Sequence, residues 1–108
     1  VRNIVICAHT ECGAVKASVA TGDDKLGYIG LDNWLGLIKA GFKINKPKDA
    51  AEGVRINLLH QVQNLKTYPG IGEMLARKEL TLNAWIYDVH SGHMLEWSNE
   101  KRDFVQIV

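Results

Sequence analysis

Residues 4–8, Ile-Val-Ile-Cys-Ala, form an unbroken apolar run, followed by the polar turn His9-Thr10-Glu11-Cys12-Gly13 and then by helix-forming Ala and Lys. A short run that is apolar at odd and even positions alike has no face suited to water. Such a run belongs in the middle of a sheet covered on both sides, as the strands of parallel sheets are. Residues 1–8 are therefore expected to be a central, buried strand. Residues 14–20 should follow as a short helix, stopped by Thr21-Gly22-Asp23-Asp24. A parallel sheet needs crossover connections, usually helical, so this strand, turn and helix already point to an α/β chain.

The rest of the sequence supplies those helices. Residues 25–30 hold two glycines and read as a loop, and residues 31–44 place Leu31, Trp34, Leu35, Ile38 and Phe42 at helical spacing. Pro47 breaks the chain. Residues 49–66 then carry Val54, Leu58, Leu59, Val62 and Leu65 on one stripe, which predicts the longest helix. Thr67-Tyr68-Pro69-Gly70 ends it, and residues 71–78 read as a further short helix closed by Glu79. Residues 80–89 turn aromatic and β-branched, Ser91-Gly92 reverses the chain, and residues 94–97 return as a strand, making a hairpin. The expected fold is α/β, a mostly parallel β-sheet flanked by helices with a C-terminal hairpin, in a single domain over residues 1–108.

Composition narrows the function. The 108 residues carry 13 basic and 12 acidic side chains for a formal charge of +1, both signs interspersed, which gives no nucleic-acid or polyanion surface. The longest apolar runs fall far short of the roughly 20 residues that span a bilayer, and no targeting signal opens the chain. The expectation is a soluble cytoplasmic or organellar protein without a membrane partner. The chain starts at Val1 and enters an apolar strand almost at once. This is read as a start lying further upstream in the native protein, with an open sheet edge left behind. A domain this small with an open edge is expected to be marginally stable or to associate.

Chemistry concentrates at His9-Thr10-Glu11-Cys12-Gly13. The carboxyl ends of strands in open α/β sheets are where sites form, because helix N-termini there present unpaired N–H groups. A helix N-terminus is also a favourable place for the anionic sulfur that metal binding requires. His9 and Cys12 are thus candidate metal ligands, half of a tetrahedral zinc shell. By spacing alone they read equally well as a backbone-satisfied histidine near a structural cysteine. Cys7 shares a strand face with His9, so it is either a third ligand or a small buried residue. A Cys7–Cys12 redox pair is the weaker alternative, since the spacing is not C-x-x-C. His60, His90 and His93 read as solvated, Trp34, Trp85 and Trp97 as core or interface.

Residues 4–17, with His9-Thr-Glu-Cys12-Gly13-Ala-Val-Lys16-Ala17 at their centre, closely resemble the β-carbonic anhydrase motif, an apolar strand followed by G-H-[ST]-x-C-G-[AG]-x-[KR]-[AG]. Asn57-Leu58, Gln61, Asn64-Leu65 and Tyr68-Pro69 match that family's N-V-x-x-Q-x-x-N-L…P helix. Residues 84–95, from Ala84-Trp85-Ile86-Tyr87-Asp88 through Gly92 to Leu95, match its terminal G-W-x-Y-D-x-x-x-G-x-L hairpin. The resemblance implies a Zn2+ cofactor held in part by His9 and Cys12, and a Gly13 backbone N–H that orients the substrate. It also implies reversible hydration of carbon dioxide to bicarbonate, and a homodimer or higher homo-oligomer. The family's remaining ligand and its Asp–Arg pair lie in a C-x-D-[SAT]-R motif upstream of this strand, and no such motif occurs in these 108 residues. The alternative is therefore a catalytically inactive homologue acting as a metal-binding or dimerising module. An unrelated nucleotide-binding α/β piece is disfavoured by the lack of a glycine-rich phosphate loop.

Overall fold

The computed structural model describes all 108 residues, Val1–Val108. The elements in chain order are β1 (Asn3–His9), α1 (Gly13–Thr21), α2 (Ile29–Phe42), α3 (Ala50–Lys66), α4 (Pro69–Ala76), β2 (Thr81–Tyr87), β3 (Met94–Ser98) and β4 (Asp103–Gln106). The α/β expectation holds, and the helices and first three strands begin and end within about two residues of where the periodicity puts them. The chain forms two compact units: Val1–Thr10 with Leu58–Val108, and Glu11–Asn57.

The first unit is built on a four-stranded sheet in the order β1-β2-β3-β4. β1 and β2 pair in parallel from Asn3↔Thr81 to His9↔Tyr87, and helices occupy the long crossover between them. β2 and β3 pair antiparallel from Trp85↔Glu96 to Tyr87↔Met94, which is the expected C-terminal hairpin. The sheet is thus mixed, because only the β1–β2 connection is long enough to reverse direction twice. β4 was not foreseen. It pairs antiparallel with β3, and its register sets Trp97 opposite Phe104, whose rings meet edge to face at 5.3 Å between centroids. Trp85 Nε1–H donates to Glu96 Oε2 at 2.6 Å across the hairpin. Leu58, Leu80, Ala84 and Ile86 are this unit's buried apolar side chains.

One expectation fails in an informative way. The apolar run predicts a central strand buried on both faces, yet β1 is the outermost strand, with Asn3, Val5, Cys7 and His9 exposed in alternation. Successive side chains of a strand point to opposite faces, so the alternation means that one face of β1 is covered and the other open, and the strand has a neighbour on one side only.

The second unit packs α1 against α2 and the first turns of α3. Val15, Leu35, Ile38 and Val54 form its core, and the buried Ser18 hydroxyl is satisfied by donating to the Ala14 carbonyl at 2.8 Å. Gly53 lets α3 approach closely: a Cβ there would lie 2.9 Å from Val15 Cγ1 and 3.2 Å from both Phe42 Cζ and Val19 Cγ2. α2 starts two residues before the expected Leu31, helped by the Asp32 carboxylate, which accepts the Leu26 N–H at 2.8 Å and the Gly27 N–H at 3.0 Å. Of its expected apolar stripe, Leu35 and Ile38 are buried while Leu31 and Trp34 face solvent, as do Ile29 and Leu37.

Candidate functional site

His9 is the last residue of β1 and Cys12 is the N-cap of α1, so the two candidate ligands sit at the two ends of the strand-to-helix turn. The His9 ring lies with Nδ1 2.9 Å from the Thr10 carbonyl oxygen. A carbonyl can only accept, so Nδ1 carries the proton in this contact and Nε2 keeps its lone pair for a metal. This carbonyl contact fixes the tautomer as second-shell partners of metal-bound histidines do.

Thr10 is itself held at the end of β2. Its N–H donates to the Tyr87 carbonyl at 3.0 Å, its hydroxyl donates to Asp88 Oδ1 at 3.4 Å, and the same hydroxyl accepts the Val89 N–H at 3.0 Å. The Asp88 carboxyl is held below the ordinary aspartate range, chiefly by the His90 N–H and then by the Ser91 hydroxyl. Neither Thr10 nor Asp88 stood out in the sequence beyond its place in a motif. The usable signal was the Asp88-x-x-Ser91-Gly92 pattern, which favours a turn closed by an aspartate side chain.

Glu11, next along, has φ 58, the left-handed region that non-glycine residues seldom adopt, and its carboxylate pairs with Lys16. Cys12 has extended backbone angles (φ −70, ψ 118) and makes no side-chain hydrogen bond to the helix it caps, so its sulfur is not committed to α1's own N–H groups. Its carbonyl accepts the Lys16 N–H at 2.9 Å, the first bond of the helix. The N–H groups of the first turn, that of Gly13 included, have no carbonyl four residues back to serve them and point out of the helix end. Gly13 is exposed, and a Cβ added to it would meet no atom within 4 Å. Packing therefore does not demand glycine here.

His9 and Cys12 are the right donors for zinc, an imidazole nitrogen and a thiol sulfur, and both are uncommitted. They do not complete a site. No group of three or more His, Cys, Asp and Glu side chains able to hold a metal occurs in the chain, which leaves Cys7 outside any such set. Cys7 is an exposed free thiol at the open strand, not the buried residue expected, and Cys12 is also free.

The carbonic anhydrase family profile matches residues 1–94. The chain belongs to the β-carbonic anhydrase family. It is 31% identical to carbonic anhydrase 1 of Escherichia coli O157:H7, over 99% of this chain and 52% of that protein, and 32% identical to a carbonic anhydrase of Pseudomonas aeruginosa, over 99% and 51%. The solved β-carbonic anhydrase CcaA superposes with a TM-score of 0.80 at 28% identity, covering 99% of this chain and 56% of that one. A tetrameric β-carbonic anhydrase from Sordaria macrospora gives a TM-score of 0.67 at 27% identity, covering 89% and 52%. The chain thus spans about half the length of the family members it matches. Its family motifs lie where the fold can use them: the His9–Gly13 turn between β1 and α1, Asn57, Gln61 and Asn64 on α3, and the terminal motif on the β2–β3 hairpin, where Gly92 turns at φ 77. No helix of the chain is long and apolar enough to cross a membrane.

Proposed function

We propose that this chain supplies His9 and Cys12 as zinc ligands, and the Gly13 N–H as a substrate-orienting donor, to a β-carbonic anhydrase site for the reversible hydration of carbon dioxide to bicarbonate. The observation that carries the reading is the His9 ring, pinned through Nδ1 to a carbonyl with Nε2 left free, three residues before an uncommitted Cys12 at a helix N-terminus. A bound zinc supplies a Lewis acid that makes water nucleophilic near neutral pH. The chain's own part is to hold that ion by an imidazole and a thiolate, and to turn the N-terminus of α1 toward the negative charge that develops on the substrate. The third protein ligand comes from outside these 108 residues.

The rest of the proposal follows from the surfaces. The family profile runs across both compact units, which supports one domain over residues 1–108. Exposed Ile29, Trp34 and Leu37 on α2 support a homo-oligomer that covers them. We place the protein among soluble cytoplasmic or organellar enzymes, without nucleic-acid or membrane partners.

The lack of a complete ligand set favours a second reading, an inactive homologue that acts as a structural module. Zinc content and stopped-flow hydration of carbon dioxide separate the two. On the enzyme reading, zinc binds in proportion to chain, and His9→Ala abolishes both binding and hydration. Absence of zinc and of hydration, with the chain joined to its complete site, establishes the module instead.

A further inference from the structure

We propose that Thr10 is a positioning residue for the His9 imidazole, through which the β2–β3 turn sets the ring that the metal centre uses. The proposal rests on the reading of His9 as a zinc ligand and adds a residue to that site.

The argument begins with how little else holds the end of β1. The strand has a neighbour only on the β2 side, and past Thr10 the chain enters Glu11 in the left-handed region. The peptide that follows His9 is therefore free to rotate unless something fixes it. Thr10 does so by three bonds to three consecutive residues: its N–H to the Tyr87 carbonyl, its hydroxyl to Asp88 Oδ1, and the Val89 N–H to the same hydroxyl. These anchor points do not drift, because the turn closes on itself. Asp88 N–H donates to the His93 carbonyl at 2.9 Å, Gly92 N–H to the Asp88 carbonyl at 2.8 Å, and His90 N–H to Asp88 Oδ1 at 3.0 Å.

The fourth bond made by Thr10 points the other way. Its carbonyl accepts from His9 Nδ1 at 2.9 Å. The amide and hydroxyl bonds hold the N, Cα and Cβ of Thr10 in place, and with them the carbon from which that carbonyl extends toward the ring. The ring then has one tautomer and one face, with Nε2 as the ligating atom. Without the hydroxyl the amide bond alone remains, the Thr10 peptide gains freedom, and the ring is released to exchange tautomers and flip. A threonine that merely capped the turn would contribute to stability and leave the ring unaffected.

The test compares wild type with Thr10→Val, which keeps the branched shape and the backbone bonds and removes only the hydroxyl, and with Thr10→Ser, which restores it. Thr10→Ala is run alongside, so that if the valine variant does not fold the alanine variant decides. The first readout is the 15N NMR signature of the His9 ring in the metal-free chain, recorded about two units above the ordinary histidine pKa of ~6.5. Wild type and Thr10→Ser are expected to show a single Nδ1–H tautomer, and Thr10→Val an averaged one. The second readout is zinc affinity of the chain joined to its complete site, by competition with a chromophoric chelator, expected to weaken about tenfold in Thr10→Val and to be regained in Thr10→Ser, the scale typical of lost second-shell partners. A Thr10→Val chain with the wild-type ring signature overturns the proposal, whatever its melting temperature, as does zinc affinity within about twofold of wild type. Failure of the underlying reading looks different: His9→Ala would then leave zinc affinity unchanged, while the ring signature of the metal-free chain still reports on Thr10.

Discussion

The two edges of the sheet are unlike each other. β4 is four residues long, begins and ends in polar side chains (Asp103 and Gln106), and follows a turn in which Arg102 takes φ 52. It is short and polar-ended, as exposed edges that avoid unwanted pairing generally are. β1 is seven residues long, apolar through its middle, and has no charged side chain within it, yet it too is an edge in this chain. The difference teaches that β4 carries the marks of a protected edge in its sequence and β1 does not. The apolar run of β1 is that of a strand covered on its faces.

The strongest way to sharpen this contrast is to remove what holds β4. Phe104→Ala deletes the ring that meets Trp97 across the β3–β4 pair, and should cost about 2–3 kcal/mol in urea unfolding, somewhat under the range for fully buried rings. A loss under about 0.5 kcal/mol would mean that β4 contributes no more than a surface segment does. The contrast itself can be broken at β1. Val5 is 42% exposed on the open strand, and Val5→Lys should weaken self-association of the chain about tenfold, or about 1.4 kcal/mol, in sedimentation equilibrium. Gln106→Lys on β4 should leave association unchanged. Equal effects at the two edges would show that β1 is no stickier than β4.

The smallest effect lies at the turn between the edges. The Asp88 carboxyl is held below its ordinary value of 3.8 by the His90 N–H and the Ser91 hydroxyl. A folded-state value below the unfolded one gives stability that is fully present above the unfolded value and is lost as pH falls through the folded one. The protection factor of the His90 amide, its exchange corrected for the intrinsic rate, should therefore fall only below about pH 4, and Asp88→Asn should flatten that acid dependence.

Much of the architecture was legible because it is written in local periodicity. The stripe through Val54 and Leu58 defines α3, the run 4–8 defines β1, and Gly92 between aromatic and apolar runs defines the hairpin. β4 was missed because four residues beginning and ending in polar side chains carry almost no alternation signal, and its pairing depends on Phe104 finding Trp97. The position of β1 at an edge was illegible because an apolar run reports that the faces of a strand are covered and says nothing of how many strands flank it. At the candidate site, His9 and Cys12 stand out by residue type and place at the strand-to-helix turn, and Gly13 only through the family resemblance. Thr10 and Asp88 do not, since their contribution is a set of hydrogen bonds between positions 78 residues apart.

Glu11 carries a lesson about what variation at such a site means. Its left-handed backbone admits glycine freely and asparagine or aspartate at modest cost, but excludes valine and isoleucine. Relatives can therefore differ in chemistry at this position while agreeing in shape, and a column of unlike letters there would record a strict conformational rule. Between the candidate ligands His9 and Cys12, the residue that looks most replaceable is constrained by the geometry of the turn.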